Sequence, residues 1–286
     1  MLQGKETIFS PKSTLNLNGR LFDIQKPKVM GILNITTDSF YDGSKYQTAT
    51  QIIKRVEEMM QEGVDIIDIG AQSSRPGADE IPLSEEIEEI QTACSLILKQ
   101  FPEAILSIDT YRADVAKAGF DNGALMINDI SGGTLDNNML ATVAEMNIPY
   151  ILMHIKGNPK TMQNLTHYDN FLQEVILHLQ ERLHLAKELG IKDIIIDPGF
   201  GFAKSLDQNY HLLKKLSYIN ILDCPILVGL SRKSMTWKFL EVSPEEALNG
   251  TTVLNTVAIM NGAKIIRVHD VKEAKQTIKL VEKIRH

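Results

Sequence analysis

Gln51-Ile52-Ile53-Lys54-Arg55-Val56-Glu57-Glu58-Met59-Met60-Gln61-Glu62-Gly63-Val64-Asp65-Ile66-Ile67-Asp68-Ile69-Gly70 carries two periodicities in succession. Ile52, Ile53, Val56, Met59 and Met60 line one side of a helix, with Lys54, Arg55, Glu57 and Glu58 on the other. The run at 64–69 is short and rich in β-branched residues, as expected of a parallel strand covered on both faces. The alternation continues in both directions. Comparable runs lie at 29–33, 105–108, 125–127, 150–153, 194–196, 226–228 and 265–268. Helical patterns lie at 85–98, 139–146, 171–189, 206–216, 244–260 and 271–284. Eight strands alternating with helical stretches along nearly the whole length predict an α/β fold, a (β/α)8 TIM barrel.

A doubly wound open sheet would carry a Gly-x-Gly-x-x-Gly turn after its first strand, and the sequence has none. Residues 14–24 alternate around Asn18-Gly19, which predicts an N-terminal β-hairpin plugging the barrel's N-terminal end. Ser84 ahead of Glu85 reads as a helix start, and Ser243-Pro244-Glu245-Glu246 as an N-cap with proline at the first helical position. With no linker or repeat, residues 1–286 are expected to form a single domain, the hairpin at 14–24 and the barrel at 28–284.

A net charge of −6 disfavours sequence-independent nucleic-acid binding, which needs a basic face. The polar start through Ser13 lacks a signal-peptide core, and no apolar stretch approaches the roughly 20 residues of a membrane span. Two cysteines, Cys94 and Cys224, suit neither a disulfide framework nor a zinc knuckle and point to a reducing cytosol. A cytoplasmic protein with no nucleic-acid or membrane partner is expected.

Barrel chemistry lies where the strands exit. The first two exits read Asn34 to Gly43 and Gly70-Ala71-Gln72-Ser73-Ser74-Arg75-Pro76-Gly77. Asp109-Thr110, Asn128-Asp129 and His154 follow, then Asp197-Pro198-Gly199-Phe200-Gly201-Phe202, Gly229-Leu230-Ser231-Arg232-Lys233-Ser234 and Arg267-Val268-His269-Asp270. One aspartate at a strand end is commonly the next helix's cap. Eight polar exits converging on one face are harder to explain that way. Asp109, Asn128 and Asp197 can pair with the donor and acceptor edge of a heterocycle. Arg75, Arg232, Lys233, Arg267 and His269 can hold an anion such as diphosphate. Phe200 and Phe202 can wall the pocket. A nucleophile elbow breaks at Arg232, the seven histidines are scattered, and Lys233 sits in a loop, which suits hydrogen bonding better than Schiff-base chemistry.

Gly31-Ile32-Leu33-Asn34-Ile35-Thr36-Thr37-Asp38-Ser39-Phe40, Ser73-Ser74-Arg75-Pro76-Gly77, Asp197-Pro198-Gly199-Phe200-Gly201-Phe202, Ser231-Arg232-Lys233-Ser234 and Arg267-Val268-His269 together resemble the dihydropteroate synthase family of folate biosynthesis. The resemblance runs over 27–284, with the motifs in order. Thr37 stands where the family commonly has proline, and Ala71 and Ser74 where it often has glycine and threonine.

The resemblance implies a Mg2+-dependent transferase that joins 6-hydroxymethyl-7,8-dihydropterin diphosphate to p-aminobenzoate, the compound that sulfonamides mimic. Asn34 would help hold Mg2+ on the diphosphate. Asp109, Asn128, Asp197 and Lys233 would bind the pterin, with Ile130 and Met153 as apolar walls. Ser74, Arg267, Val268 and His269 would hold the diphosphate. Phe40, Asp42, Arg75 and Pro76 would close over the site, and Pro76, Phe202, Lys233 and Ser234 would frame p-aminobenzoate. Asp109, Lys233, Arg267 and His269 would be the catalytic set. A homodimer through helices away from the mouth is also implied. A methyltetrahydrofolate-binding methyltransferase would share the barrel but has no diphosphate to hold. A non-catalytic pterin-binding barrel is the remaining reading.

Overall fold

Two antiparallel strands, β1 (Thr14–Leu17) and β2 (Arg20–Asp23), precede eight parallel ones that close on themselves. The computed structural model describes residues 12–35, 49–72 and 81–285. The expectations placed on Thr37, Phe40, Asp42, Ser74, Arg75 and Pro76 therefore lie outside the described residues. The barrel strands are β3 (Lys28–Asn34), β4 (Ile66–Gly70), β5 (Leu106–Asp109), β6 (Met126–Asp129), β7 (Tyr150–Met153), β8 (Ile194–Asp197), β9 (Ile226–Gly229) and β10 (Ala263–Val268). They pair in chain order, and β10 closes the ring against β3 and β9.

Around them lie α1 (Ala49–Gln61), α2 (Leu83–Gln100), α3 (Ala113–Asp121), α4 (Met139–Met146), α5 (Phe171–Glu188), α6 (Leu206–Lys214), α7 (Ser234–Leu240), α8 (Leu248–Met260) and α9 (Val271–Arg285). The helix at α3 carries no stripe of large apolar residues. It buries Ala113, Val115, Ala116, Ala118 and Gly119, and a Cβ on Gly119 would stand 2.4 Å from the Ile108 side chain. The segment expected to be helical over 244–260 is divided: a 3-10 turn at Glu245–Ala247 precedes α8. Ser243 and Glu246 still exchange cap hydrogen bonds, at 3.0 and 3.4 Å, on that turn. Ser84 is not a cap, because α2 begins at Leu83 behind Pro82.

The hairpin closes the barrel floor. Asn18 (φ 50) and Gly19 (φ 92) make the left-handed turn that joins β1 to β2. Leu15, Leu17 and Ile24 are buried against Met30, Ile66, Met126, Ile151, Ile195, Leu227 and Ile265. At roughly 1.5–3 kcal/mol for each large aliphatic side chain, burying these three contributes about 5–9 kcal/mol before the entropy of ordering them. Lys12 adds an ion pair to Asp193 at 2.7 Å.

Alternation along each strand then sets the lumen. Ile67, Ile69, Ile108, Ile127, Ile196, Val228 and Ile266 point outward into the helix-packed core. The residues two places beyond the floor layer therefore point inward: Asp68 after Ile66, Asn128 after Met126, Met153 after Ile151, Asp197 after Ile195, Arg267 after Ile265. An apolar floor thus carries a polar ceiling. No helix among the described residues is long and apolar enough to cross a membrane.

Candidate active site

Arg267, on β10, reaches into the lumen and meets two carboxylates. Its Nε donates to Asp68 Oδ2 at 2.6 Å and its Nη2 to Asp109 Oδ2 at 2.5 Å. Asn128 Nδ2 donates to the same Asp68 oxygen at 2.9 Å. Strand closure brings the anticipated Asp109, Asn128 and Arg267 together through Asp68, which the reading of strand exits missed. Asp68 lies within β4, two places before its end, and is fully buried. Its signal was present: a carboxylate at an inward position of an otherwise apolar strand.

Burial pushes the Asp109 carboxyl above the ordinary carboxylate range, with Arg267 opposing and Asp68 adding to the rise. Burial also works against the Arg267 charge, but Asp68 and Asp109 outweigh it and hold the guanidinium protonated. The group is a fixed cation between carboxylates, set in place before any ligand arrives.

Asp197 and Lys233 form the opposite wall. Asp197 Oδ1 accepts the Gly199 amide at 2.7 Å. Gly199 (φ 72) has no room for a side chain, since a Cβ there would lie 2.0 Å from the His154 carbonyl oxygen. Lys233 Nζ donates to the Phe200 carbonyl and stands 4.7 Å over the Phe202 ring. Burial pulls the Lys233 ammonium down to about 8, with Asp197 opposing. Burial also raises the Asp197 carboxyl, and Lys233 is the first of the groups that lower it. Ile130, Met153 and Phe202 pack together with Ile155, Met162 and Ala203 as an apolar wall beside these polar groups.

His269 and Ser231 meet at the β9 and β10 exits. Ser231 Oγ accepts the His269 amide at 3.2 Å and lies 3.0 Å from its Nδ1. The hydroxyl can give its own proton to Nδ1, a pairing that leaves the proton of a neutral ring on Nε2. Ser234 is half-buried at the start of α7, next to Lys233. Val268 points outward into the core, so only its main chain can serve the mouth. Asn34 is half-buried at the end of β3, in register with Gly70.

Three exit residues serve the scaffold. Arg232 is not an anion ligand here: it clasps Asp270 at 2.8 and 3.0 Å and donates to the Pro244 and Glu245 carbonyls. Asp129 accepts from Ser131, Gly133 and Tyr150 and so shapes the turn after β6. His154 pairs with the buried Lys204 at 2.8 Å.

A closed barrel whose mouth joins a buried amide and carboxylate set to fixed cations is the architecture of an enzyme that grips a polar heterocycle and an anion together. The chain belongs to the pterin binding enzyme family, which matches residues 30–269. Dihydropteroate synthase of Escherichia coli is 40% identical over 266 residues, covering 92% of this chain and 94% of its own. The Synechocystis dihydropteroate synthase is 44% identical, covering 92% of each. The crystal structure of Yersinia pestis dihydropteroate synthase with a sulfonamide drug matches at TM-score 0.90 and 38% identity, covering 95% of this chain and 99% of that one. That of Xanthomonas albilineans dihydropteroate synthase with 4-aminobenzoic acid matches at TM-score 0.88 and 34% identity, covering 96% and 98%.

Proposed function

We infer that this barrel catalyses dihydropteroate synthesis, the transfer of a 7,8-dihydropterin-6-ylmethyl group from diphosphate to the amine of p-aminobenzoate. The observation that carries the reading is Arg267 held between Asp68 and Asp109, facing the Asp197 and Lys233 wall. Asp109, Asn128, Asp197 and Lys233 would bind the pterin's edge, with Ile130 and Met153 against its faces. His269, Arg267 and the Val268 main chain would hold the diphosphate. Phe202, Lys233 and Ser234 would frame p-aminobenzoate, the place at which a sulfonamide would compete. The parts assigned to Phe40, Asp42, Ser74, Arg75 and Pro76 rest on the family resemblance.

The chemistry needs no enzymic nucleophile. The methylene C–O bond breaks and its electron pair leaves with the diphosphate, whose charge Arg267 offsets and to which His269 can donate a hydrogen bond. The cation left behind spreads into the dihydropterin ring, and an ionised Asp109 stabilises it. The aryl amine then forms the new C–N bond and releases a proton. Asn34 ends β3 at the mouth and carries an amide oxygen, a hard donor of the kind Mg2+ takes. That donor set fits a Mg2+ carried largely by the diphosphate. Bound there, Mg2+ would neutralise the leaving group's charge.

A homodimer fits the outer surface. Phe239 and Leu240 on α7, Val253, Val257 and Met260 on α8, and Leu280 and Ile284 on α9 are exposed apolar residues on neighbouring helices. Cys94 and Cys224 are buried free cysteines, which suits a cytoplasmic protein, and the hairpin packed on the barrel floor suits a single domain.

The test is diphosphate release measured with Mg2+ present. Release should require both the pterin diphosphate and p-aminobenzoate. A folded protein that binds the pterin yet releases nothing with both substrates would sink the reading.

A further inference from the structure

Lys204 is a buried cation, 5% exposed, that takes no part in the chemistry above. It lies just past the five-residue loop that follows Pro198. Gly199, Gly201 and Ala203 hold φ of 72, 82 and 48, so every second residue is left-handed, and Ala203 carries a Cβ in that region. Such a backbone persists only when its surroundings hold it. The Lys204 ammonium directs its three protons to the Gly199 carbonyl at 2.9 Å, the Phe202 carbonyl at 3.0 Å and His154 Nδ1 at 2.8 Å. Asn209 holds the Gly201 amide at 2.7 Å and Tyr168 the Ala203 carbonyl at 2.9 Å. The same loop presents the Gly199 amide to Asp197 and the Phe200 carbonyl to Lys233.

We propose that Lys204 is a positioning residue of the pterin site, fixing the 199–202 loop against Asp197 and Lys233 and supplying a further positive charge to Asp197. The inference rests on Asp197 being a pterin ligand. The cations acting on Asp197 are Lys233 at the start of α7, Lys204 and Arg267 on β10. Lys204 itself faces Asp197 on β8, Lys233 and His154 beyond β7. His154 is kept neutral by burial, with Lys204, His178 on α5 and Lys156 adding to that effect, so its Nδ1 accepts and brings no charge. Burial brings the Lys204 ammonium down to about 7. Below that pH Lys204 is charged and opposes the burial that would protonate Asp197.

The experiment is calorimetric binding of 6-hydroxymethyl-7,8-dihydropterin diphosphate, without p-aminobenzoate, across the acid range. Wild type, Lys204→Met, Lys204→Arg and Asp197→Asn are compared, with circular dichroism confirming folding. Lys204→Met should weaken binding about tenfold and move the acid limb up by about one pH unit, because the carboxylate loses a neighbouring cation. Lys204→Arg should return the limb towards wild type, which loss of packing alone would not do. If Lys204→Met fails to fold, Lys204→Gln drops the charge while keeping two N–H donors and should show the same shifted limb. Native affinity with an unshifted limb in the uncharged variant overturns the inference. Asp197→Asn keeps the two readings apart: native affinity there overturns the pterin role of Asp197 and this inference with it. Affinity lost there but native in Lys204→Met overturns the inference alone.

Discussion

Arg267 and Asp109 stand 158 positions apart in the chain and 2.5 Å apart in the barrel. The pair places a permanent cation beside the carboxylate that the proposed mechanism asks to face a developing positive charge. Arg267 is turned first to Asp68 and Asp109, so its orientation is set without help from substrate.

Asp109→Asn keeps the shape and removes the charge. Turnover should fall by about 10²–10³, the loss typical of one electrostatic contact to a transition state, while diphosphate affinity changes little. Steady-state kinetics with product-inhibition constants would check both halves, and near-native turnover would refute the role.

The pH dependence of kcat/KM should be bell-shaped. Asp109 must be ionised, and its carboxyl is raised by burial, so activity is lost as pH falls through a limb above the ordinary carboxylate range. Lys233 must be protonated to keep its positive charge beside Asp197, and its ammonium is lowered to about 8, so activity is lost as pH rises through that value. A flat profile from mildly acidic to mildly alkaline pH would contradict both assignments.

Asp68→Asn tests the anchor. The fully buried Asp68 carboxylate serves Arg267 and Asn128 together, and opening a buried pair costs on the order of 3 kcal/mol. Denaturant unfolding should register the loss, and KM for the pterin diphosphate should rise. Native stability together with native KM would mean that Asp109 alone holds Arg267.

Gly199→Ala should be among the most damaging small substitutions in the barrel. Its Cβ would stand 2.0 Å from a main-chain oxygen at a left-handed backbone position, and neither atom can swing away. Destabilisation of about 3 kcal/mol or more is expected, with loss of pterin binding, both measurable by thermal shift with and without ligand.

The strand order, the hairpin floor and most of the mouth were readable from apolar runs and the polar residues at their ends. Asp68 escaped because it sits inside a run and not after one. Lys204 escaped because nothing in the local pattern tells a buried lysine from a solvated one. Arg232 was misread for the converse reason: a basic loop residue suits an anion until Asp270 and two carbonyls are found within its reach. The helix at α3 was passed over because its buried face is mostly alanine and glycine, with Val115 its one larger fully buried side chain, and Gly119 lies close on Ile108 of β5.

Periodicity along the chain is local, so it set the eight barrel strands and most of the helices, though not α3 or the break before α8. Pairing is not local. Residues 68, 109, 128 and 267 share hydrogen bonds only because β10 closes against β3 and brings four strands round one axis. Charge states are likewise set by that closure, since burial and neighbours, not residue type, decide whether Asp109 and Lys233 titrate near neutrality.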